Sequence, residues 1–490
     1  METGIVESFR NGTVFITGGT GFLGKILTEK LLRSCSVGSI ALLVRNKKGL
    51  SASQRVTKIY KQALFDRLRT EKPDFIESIK VIDGHLEDSL MGLSSSDREW
   101  LKDNVNFVFH CAATIKFNEP LDLASKINVQ GTEHVLTLAS QMKNLKGFVH
   151  VSTAYSHCPR SEIKEEFYNV PVTSKELKNG FFDEKSTTKI IEDWPNTYTF
   201  TKAVTENMIQ TNGDHLPISI FRPSIIGCTK SEPEPGWLDN MNGPTGLVTG
   251  VMVGFLRTVP NIGSNITDII PADYTVNALI SVMWDTVNRH KQSSGMNKVP
   301  KVYNYVSCVE SPLTWHRYIR EMHDQYYVAP PLQSIWYAFY IFYTNLMVGS
   351  ILRFFLHQIP GAFMDLLLIL FGKSPKMLRL YAKTENMIDL LYEFSTRQWT
   401  FDNGNTRELW LSLSQDDRET FRFSLQEFDW KPYIKSYYCG IRKHILHEDL
   451  NNVEMALSKN QMLLWLHQIF MVLIVYILLQ LFWICITFLF

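Results

Sequence analysis

The 490-residue sequence has no paired cysteine motif: its seven cysteines, at 35, 111, 158, 228, 308, 439 and 485, stand singly, with neither CxxC nor Cys/His zinc spacing. A disulfide framework is excluded, a reducing compartment is expected, and no metal site is indicated. Charge of one sign is also missing. Lys plus Arg total 50 against 49 for Asp plus Glu, a formal charge of +1 that draws no polyanion, so nucleic acid is not an expected partner. There is no internal repeat and no low-complexity tract. The amino end, METGIVESFRNGTVFITGG, lacks the apolar core of a secretory signal and carries charges ahead of its first short apolar run. The body of the protein is therefore expected on the cytosolic side.

The last absence is local. After Lys459 there is no Lys, Arg, Asp or Glu, and residues 469–490 read IFMVLIVYILLQLFWICITFLF. At about 1.5 Å per residue this run rises about 33 Å, enough to cross a hydrocarbon core of about 30 Å. A transmembrane tail anchor over 466–490 is expected, with the basic residues before it on the cytosolic side. Residues 333–371 are nearly as poor in charge, with Arg353 and Asp365 alone. They read as a helical subdomain packed against itself. A membrane-surface or re-entrant pair and a genuine span are the alternatives, although Arg353 and Pro360 interrupt a clean span.

What is present is length for about three domains and an alternation of β-branched runs with helical patterns. The strand candidates are Thr13–Thr17, Ser39–Val44, Ser78–Asp83, Val105–Cys111, Gly147–Ser152 and Pro217–Arg222. Helical patterns cover 22–34, 54–70, 121–143 and 198–211. Apolar runs without strict alternation, joined by crossover helices, predict an α/β fold with a Rossmann-like parallel sheet covered on both faces. Residues 154–197 form a polar insertion suited to a substrate wall. Residues 228–246 and 259–284 are expected to build a smaller lobe, with a helix start at Pro271-Ala272-Asp273. The division expected is an α/β domain with substrate lobe over 1–330, a hydrophobic helical segment over 331–375, a small, mainly helical domain over 376–458, and the transmembrane helix.

The sharpest local motif is Thr17-Gly18-Gly19-Thr20-Gly21-Phe22-Leu23-Gly24, set between a strand and a helix. Gly18, Gly21 and Gly24 allow a tight turn and close passage of a pyrophosphate, while the helix start at Phe22 and Leu23 supplies N–H donors. About twenty residues on, where an acid would bind a ribose 2′-hydroxyl, the chain has Val44-Arg45-Asn46-Lys47-Lys48. A guanidinium there attracts a 2′-phosphate, so NADPH is the expected cofactor and Arg45 its leading contact. Cys111, Ala112 and Ala113, at the end of the fourth strand, offer small side chains where a cofactor ribose could approach.

Tyr198 and Lys202 stand at i and i+4 on one helix and share a face. A phenol has a reference pKa of about 10, and a neighbouring ammonium favours its ionised form and can hold a ribose as well. The pair follows the His150-Val-Ser152-Thr153 strand end, so Thr153, with Ser152 as the lesser candidate, can donate to the oxygen that Tyr198 protonates.

These blocks together resemble the alcohol-forming fatty acyl-CoA reductases of the extended short-chain dehydrogenase/reductase superfamily. The resemblance rests on TGGTGFLGKILTEKLLRSC, FHCAATIKFNE, INVQGTEHVLTLASQMKNLKGFVHVSTAYSHC, PNTYTFTKAVTE, FRPSIIG and PGWLDNMNGPTG, spread over 12–310, with an aromatic 376–446 segment similar to the family's carboxyl-terminal domain. It implies reduction of a long-chain fatty acyl-CoA by two NADPH, through an aldehyde, to a primary alcohol and free CoA. It places Tyr198 and Lys202 as the catalytic pair and Thr153 as carbonyl donor. Asn128 becomes the residue holding the backbone near the Lys, and Arg222 and Pro223 lie near the nicotinamide. His85 departs from the pattern, standing where many members carry an adenine-recognising acid. The resemblance also implies a lipid bilayer as partner and an endoplasmic reticulum or peroxisomal membrane as location, with oligomerisation left open. An aldehyde-releasing reductase, a membrane sterol or steroid dehydrogenase and a noncatalytic lipid-binding scaffold are the competing readings.

Overall fold

The computed structural model describes all residues except 1–3, 48, 181–186, 188, 293–298 and 490. Lys48 of the basic run and part of the 154–197 insertion thus lie outside the described residues. The chain forms two compact units: residues 1–237, 266–313 and 398–429, and residues 238–265, 314–397 and 430–490.

The first unit is built on seven parallel strands, β1 Thr13–Thr17, β2 Ser39–Val44, β3 Ile79–Asp83, β4 Phe107–His110, β5 Gly147–Val151, β6 Ile218–Pro223 and β7 Lys301–Tyr305, in the order β7-β6-β5-β4-β1-β2-β3. The order reverses beside β1, which leaves the crevice where ligands bind in open α/β sheets at its carboxyl end. Both faces are dry. Val14 and Ile16 pack on one face and Phe15 on the other, all fully buried, which is why the strands read as apolar runs instead of alternating ones. Each such side chain contributes about 1.5–3 kcal/mol by leaving water.

Four helices position the site: α1 Phe22–Ser34; α2, running through Leu121–Ser125, a π turn at Lys126–Gln130, and Gly131–Ala139; α3 Thr197–Asn212; and α4 Ala272–Gln292. The expected parallel sheet and the helix at 22–34 are present. Two expectations need correction. The segment expected over 54–70 as one helix is broken into Ala52–Ile59 and Asp66–Glu71. The helix that starts after Pro271 does not belong to a small lobe. Its face of Val276, Leu279, Ile280, Met283 and Val287 is buried in the core of the sheet, because a parallel sheet needs a covering helix on this side.

The second unit is mainly helical. Residues 333–371 do not close on themselves: they contain one helix, α5 Leu346–Leu370, with much of its apolar surface exposed. It is followed by α6 Met377–Thr396, and the unit ends in α7 Val453–Leu489. Both α5 and α7 are long and apolar enough to cross a membrane, and the apolar stretch of α7 is almost wholly exposed.

Candidate active site

The turn after β1 is shaped by glycine where side chains would collide. Gly18 has φ +77°, and a Cβ there would lie 2.7 Å from the Ala112 nitrogen; a Cβ on Gly24 would meet the Gly18 carbonyl oxygen at 2.3 Å. The turn closes with Gly21 N–H donating to the Gly18 carbonyl at 2.9 Å. No side chain caps α1 at Gly21, so the N–H groups at Phe22 and Leu23 stay open to an anion. Phe22 itself stacks on Trp237 at 5.5 Å.

Below the turn runs an ordered chain of hydroxyls and one imidazole. Thr17 Oγ1 lies 2.6 Å from His110 Nδ1, His110 Nε2 lies 2.8 Å from Thr132 Oγ1, and the Thr132 hydroxyl donates to the Asn128 carbonyl at 2.6 Å. Because Thr132 spends its proton on Asn128, His110 must donate through Nε2 and accept from Thr17 through Nδ1. Burial, reinforced by the Lys202 charge, pushes His110 down to about 3, so it stays neutral and holds this single arrangement. Thr17 Oγ1 also accepts the Ala112 N–H at 3.3 Å. Thus the Gly turn and the Cys111-Ala112-Ala113 end of β4 are fixed to each other. The Cys111 thiol is itself pushed up to about 12 by burial and remains protonated.

Arg45 is half exposed at the carboxyl end of β2, 3.9 Å from Glu87. A second guanidinium that sequence reading missed stands beside it: Arg55 donates to the Arg45 carbonyl and, at 3.3 Å, to Thr20 Oγ1 in the turn. Partial burial and the Arg45 charge together lower Arg55, the mark of two cations held close. His85, by contrast, is tied into its own loop, its N–H bonded to the Met91 carbonyl at 2.8 Å and its ring 4.0 Å from Glu87.

At the far side of the crevice, α3 presents Tyr198 and Lys202. Asn196 caps the helix by accepting the Thr199 N–H at 2.9 Å. Tyr198 stacks on Phe117 at 6.0 Å; enclosure raises its hydroxyl to about 12, with the neighbouring Thr153 hydroxyl acting against that rise. Lys202 is buried and donates to the Val151 carbonyl at 2.7 Å. Burial lowers it to about 8, while Glu206 and Cys111 act to raise it. Asn128, in the π turn of α2, accepts the Thr114 N–H at 2.8 Å and donates to Thr201 Oγ1 at 3.0 Å, which ties α2 to α3 and to the strand end.

The structure thus brings Thr153 and Tyr198 together and sets Lys202 one helical turn away. Other expected residues are committed elsewhere. The Ser152 hydroxyl donates to Glu206, not toward Thr153 and Tyr198. The Arg222 guanidinium is fully buried: it bonds Glu206 and donates to the Lys164 and Glu166 carbonyls at 3.0 and 2.9 Å. Pro223 contributes its carbonyl, which accepts the Ala154 N–H at 2.9 Å. Glu206 and His157, bonded at 3.0 Å, were missed in the sequence. Glu206 falls four residues after Lys202 on the same helix face, which is the signal that could have found it. Among the described residues, no group of His, Cys, Asp and Glu is arranged to hold a metal ion.

Residues 16–279 match an NAD-binding family described as male sterility protein, and residues 356–448 match a second family of the same description. The chain is 37% identical over 468 residues to fatty acyl-CoA reductase wat of Drosophila melanogaster, covering 94% of this chain and 89% of that protein. It is 36% identical over 471 residues to fatty acyl-CoA reductase 1 of Homo sapiens, covering 92% and 88%. Among solved structures, the terminal R domain of the myxalamid PKS-NRPS pathway shares the fold with TM-score 0.61 at 17% identity, over 90% of this chain and 93% of that one. A reductase domain of a nonribosomal peptide synthetase from Mycobacterium tuberculosis does so with TM-score 0.57 at 17% identity, over 89% and 95%. By sequence along nearly its whole length, this chain belongs to the fatty acyl-CoA reductase family.

Proposed function

We propose that the protein reduces a long-chain fatty acyl-CoA to a primary alcohol with two NADPH, releasing CoA. The observation that carries this reading is the Thr153 hydroxyl set beside the Tyr198 hydroxyl at the open end of a dinucleotide-type sheet in a fatty acyl-CoA reductase chain. The glycine turn and the uncapped start of α1 fit a pyrophosphate, since any Cβ at Gly18 or Gly24 would fill the space. Arg45 and Arg55 fit a 2′-phosphate, two guanidiniums held close with Glu87 3.9 Å from Arg45. When bound, the nicotinamide supplies hydride to the thioester carbonyl and then to the aldehyde.

The protein's own part is positional and electrostatic. Tyr198, raised to about 12, is protonated at neutral pH and so serves as a proton donor to a carbonyl oxygen. Thr153 turns its hydroxyl to the same oxygen and stabilises the charge that develops there before CoA thiolate leaves. Lys202, lowered to about 8, still carries its charge at neutral pH and offers it to the cofactor ribose and to the site. Asn128 keeps α2 and α3 in register beneath them.

The division of labour we propose is reductase chemistry in 1–330, a hydrophobic membrane-associated helical segment in 331–375, a carboxyl-terminal helical domain in 376–458, and anchoring by 466–490 with the reductase on the cytosolic side of an endoplasmic reticulum or peroxisomal membrane. The test is substrate-dependent NADPH oxidation with mass analysis of products. Two NADPH consumed per alcohol is expected. One NADPH with aldehyde as the end product would assign the chain to aldehyde release instead.

A further inference from the structure

Helix α5 carries two opposed faces along its whole length. Gly349, Arg353, His357, Gly361 and Asp365, each four residues apart, form the buried side. Four-residue steps drift around an α-helix by about 40° each, and the π turn at Phe354–Gln358 takes up part of that drift, so the stripe stays on one side. Each polar member has a partner within the second unit. Arg353 donates to Asp389 at 2.6 Å and to the Tyr343 hydroxyl at 2.5 Å. His357 Nε2 accepts the Arg257 N–H at 3.0 Å. Asp365 caps α6, accepting N–H bonds from Lys376, Met377 and Leu378 at 2.7, 2.8 and 3.0 Å.

The opposite side is apolar and open. Met347, Phe355, Phe363 and Leu370 are 75%, 60%, 60% and 71% exposed, and exposed Ile351, Phe354, Ile359 and Leu366 stand beside them. A soluble surface rarely leaves such a patch uncovered. Lys373 and Lys376, both exposed, follow directly after its end at Phe371.

What covers this face is indicated by its neighbour. Arg257 donates to the Leu356 carbonyl in the middle of α5 at 2.6 Å, and its guanidinium lies 6.0 Å from the Trp336 ring. Trp336 in turn donates to His467 Nδ1 at 3.1 Å and meets the Phe470 ring at 6.0 Å. His467 and Phe470 stand where α7 becomes continuously apolar and exposed. The two apolar surfaces therefore share one joint, Arg257 and Trp336.

We propose that the exposed face of α5 lies in the plane of the membrane surface, seated in the lipid interface beside the point where α7 enters the bilayer. This rests on the reading of α7 as an anchor. The helix is long enough to span, but spanning would break the Arg353–Asp389 pair and the Asp365 cap and carry Arg353 into hydrocarbon. An amphipathic helix with a polar side held by protein and lysines at one end fits an interfacial position. Its function would be to fix the height and tilt of the second unit above lipid, where long-chain acyl groups partition.

The experiment uses the full-length protein in vesicles of phosphatidylcholine with phosphatidylserine, doped with phosphatidylcholine carrying a diazirine either near the glycerol or at the chain end. Labelled residues are mapped by mass spectrometry. With the shallow probe, Met347, Phe355, Phe363 and Leu370 should label about fivefold or more above the exposed helix Ser95–Asn104 of the first unit, and the residues from Arg353 to Asp365 on the buried stripe should not. Joint replacement Phe355→Glu and Phe363→Glu should cut labelling of Met347 and Leu370 about threefold or more. Labelling of 346–371 at the background level overturns the proposal, and so does labelling around the whole helix by the deep probe, which would mean a span. Protection from lipid combined with cross-linking of α5 to a second copy overturns it in favour of a subunit interface. Labelling of 471–484 by the deep probe reports separately on α7, so failure of the anchor reading is seen apart from failure at α5.

Discussion

Glu206 and Arg222 face each other inside the first unit with both side chains fully buried, the two carboxylate oxygens 3.0 and 3.1 Å from Arg222 Nε. Burial alone would raise the carboxyl, but Arg222 and the His157 bond outweigh it and hold Glu206 well below the usual carboxylate range. Ser152 donates to the same carboxylate, and Lys202 lies one turn earlier on α3. The end of β5, the end of β6 and α3 are therefore joined through one charge.

Arg222→Met should destabilise the protein by about 3–5 kcal/mol, because it leaves Glu206 charged and unpaired in the interior. Denaturant unfolding of the variant beside the parent checks this. A loss below about 1 kcal/mol would mean that the pair is offset by its own desolvation and holds geometry only.

The charge also reaches Lys202. Lys202 is lowered to about 8 by burial, with Glu206 acting to raise it. If protonated Lys202 is the active form, kcat/KM should fall above pH of about 8 by about tenfold per unit. Removing the Glu206 charge by Glu206→Gln lowers Lys202 further, so this limb should move to lower pH. Stability runs the other way: a depressed lysine gains stability as pH rises through about 8 toward its unfolded value, since only the unfolded chain still binds that proton. A pH profile unchanged in Glu206→Gln would limit Glu206 to structure.

Tyr198→Phe keeps the ring on Phe117 and removes the proton donor. Turnover should fall by about 10²–10⁴-fold, the usual span of general acid catalysis, with NADPH binding retained. Single-turnover reduction of an acyl-CoA, alongside a fluorescence titration with NADPH, separates the two. A folded variant that turns over at the parental rate would remove Tyr198 from the chemistry.

Arg45→Ala and Arg55→Ala should each raise KM for NADPH more than for NADH, since only NADPH carries the 2′-phosphate. Arg55 is expected to matter as much as Arg45, because it is tied to Thr20 in the phosphate turn while Arg45 is half exposed. Equal changes for both cofactors at fixed ionic strength would make the two guanidiniums ordinary surface charges.

The parallel sheet and the turn at Gly18 were legible because each rests on a local pattern, an apolar run or a glycine spacing. Strand β7 was not. Its sequence, Lys-Val-Tyr-Asn-Tyr, carries Asn304, whose amide is buried by bonds to the Ile163 and Asp402 carbonyls, far away in sequence. The same cause hid His110, Glu206 and Arg55. A buried polar side chain looks like a surface residue until its partners are known, and partners such as Thr132, Arg222 and Thr20 come from other elements. Discontinuity is hidden likewise: residues 398–429 join the sheet unit through Phe401, whose strand pairs with Ile163.

The chain can be cut without disturbing its packing beyond Phe470. Composition alone would place the cut after Lys459, the last charged residue. The structure shows that α7 is still part of the second unit beyond that point. Leu463 is buried, His467 accepts from Trp336, and Phe470 packs on the same ring. Removing residues 471–490 should leave these contacts in place and remove the apolar run alone. The truncated protein should then be released from membranes by alkali, while the parent resists it, and reduction of a short, soluble acyl-CoA should continue at a comparable rate because Thr153, Tyr198 and Lys202 are untouched. Cutting after Lys459 should instead lower the unfolding temperature, since it exposes Trp336 and deletes Leu463 from the packed interior. If α5 lies on the lipid surface, the 471–490 deletion will also float with anionic vesicles at low salt and lose this binding when Phe355→Glu and Phe363→Glu are added. A deletion variant that still resists alkali would show that a segment other than α7 is integral to the bilayer, and would point to α5 as a span.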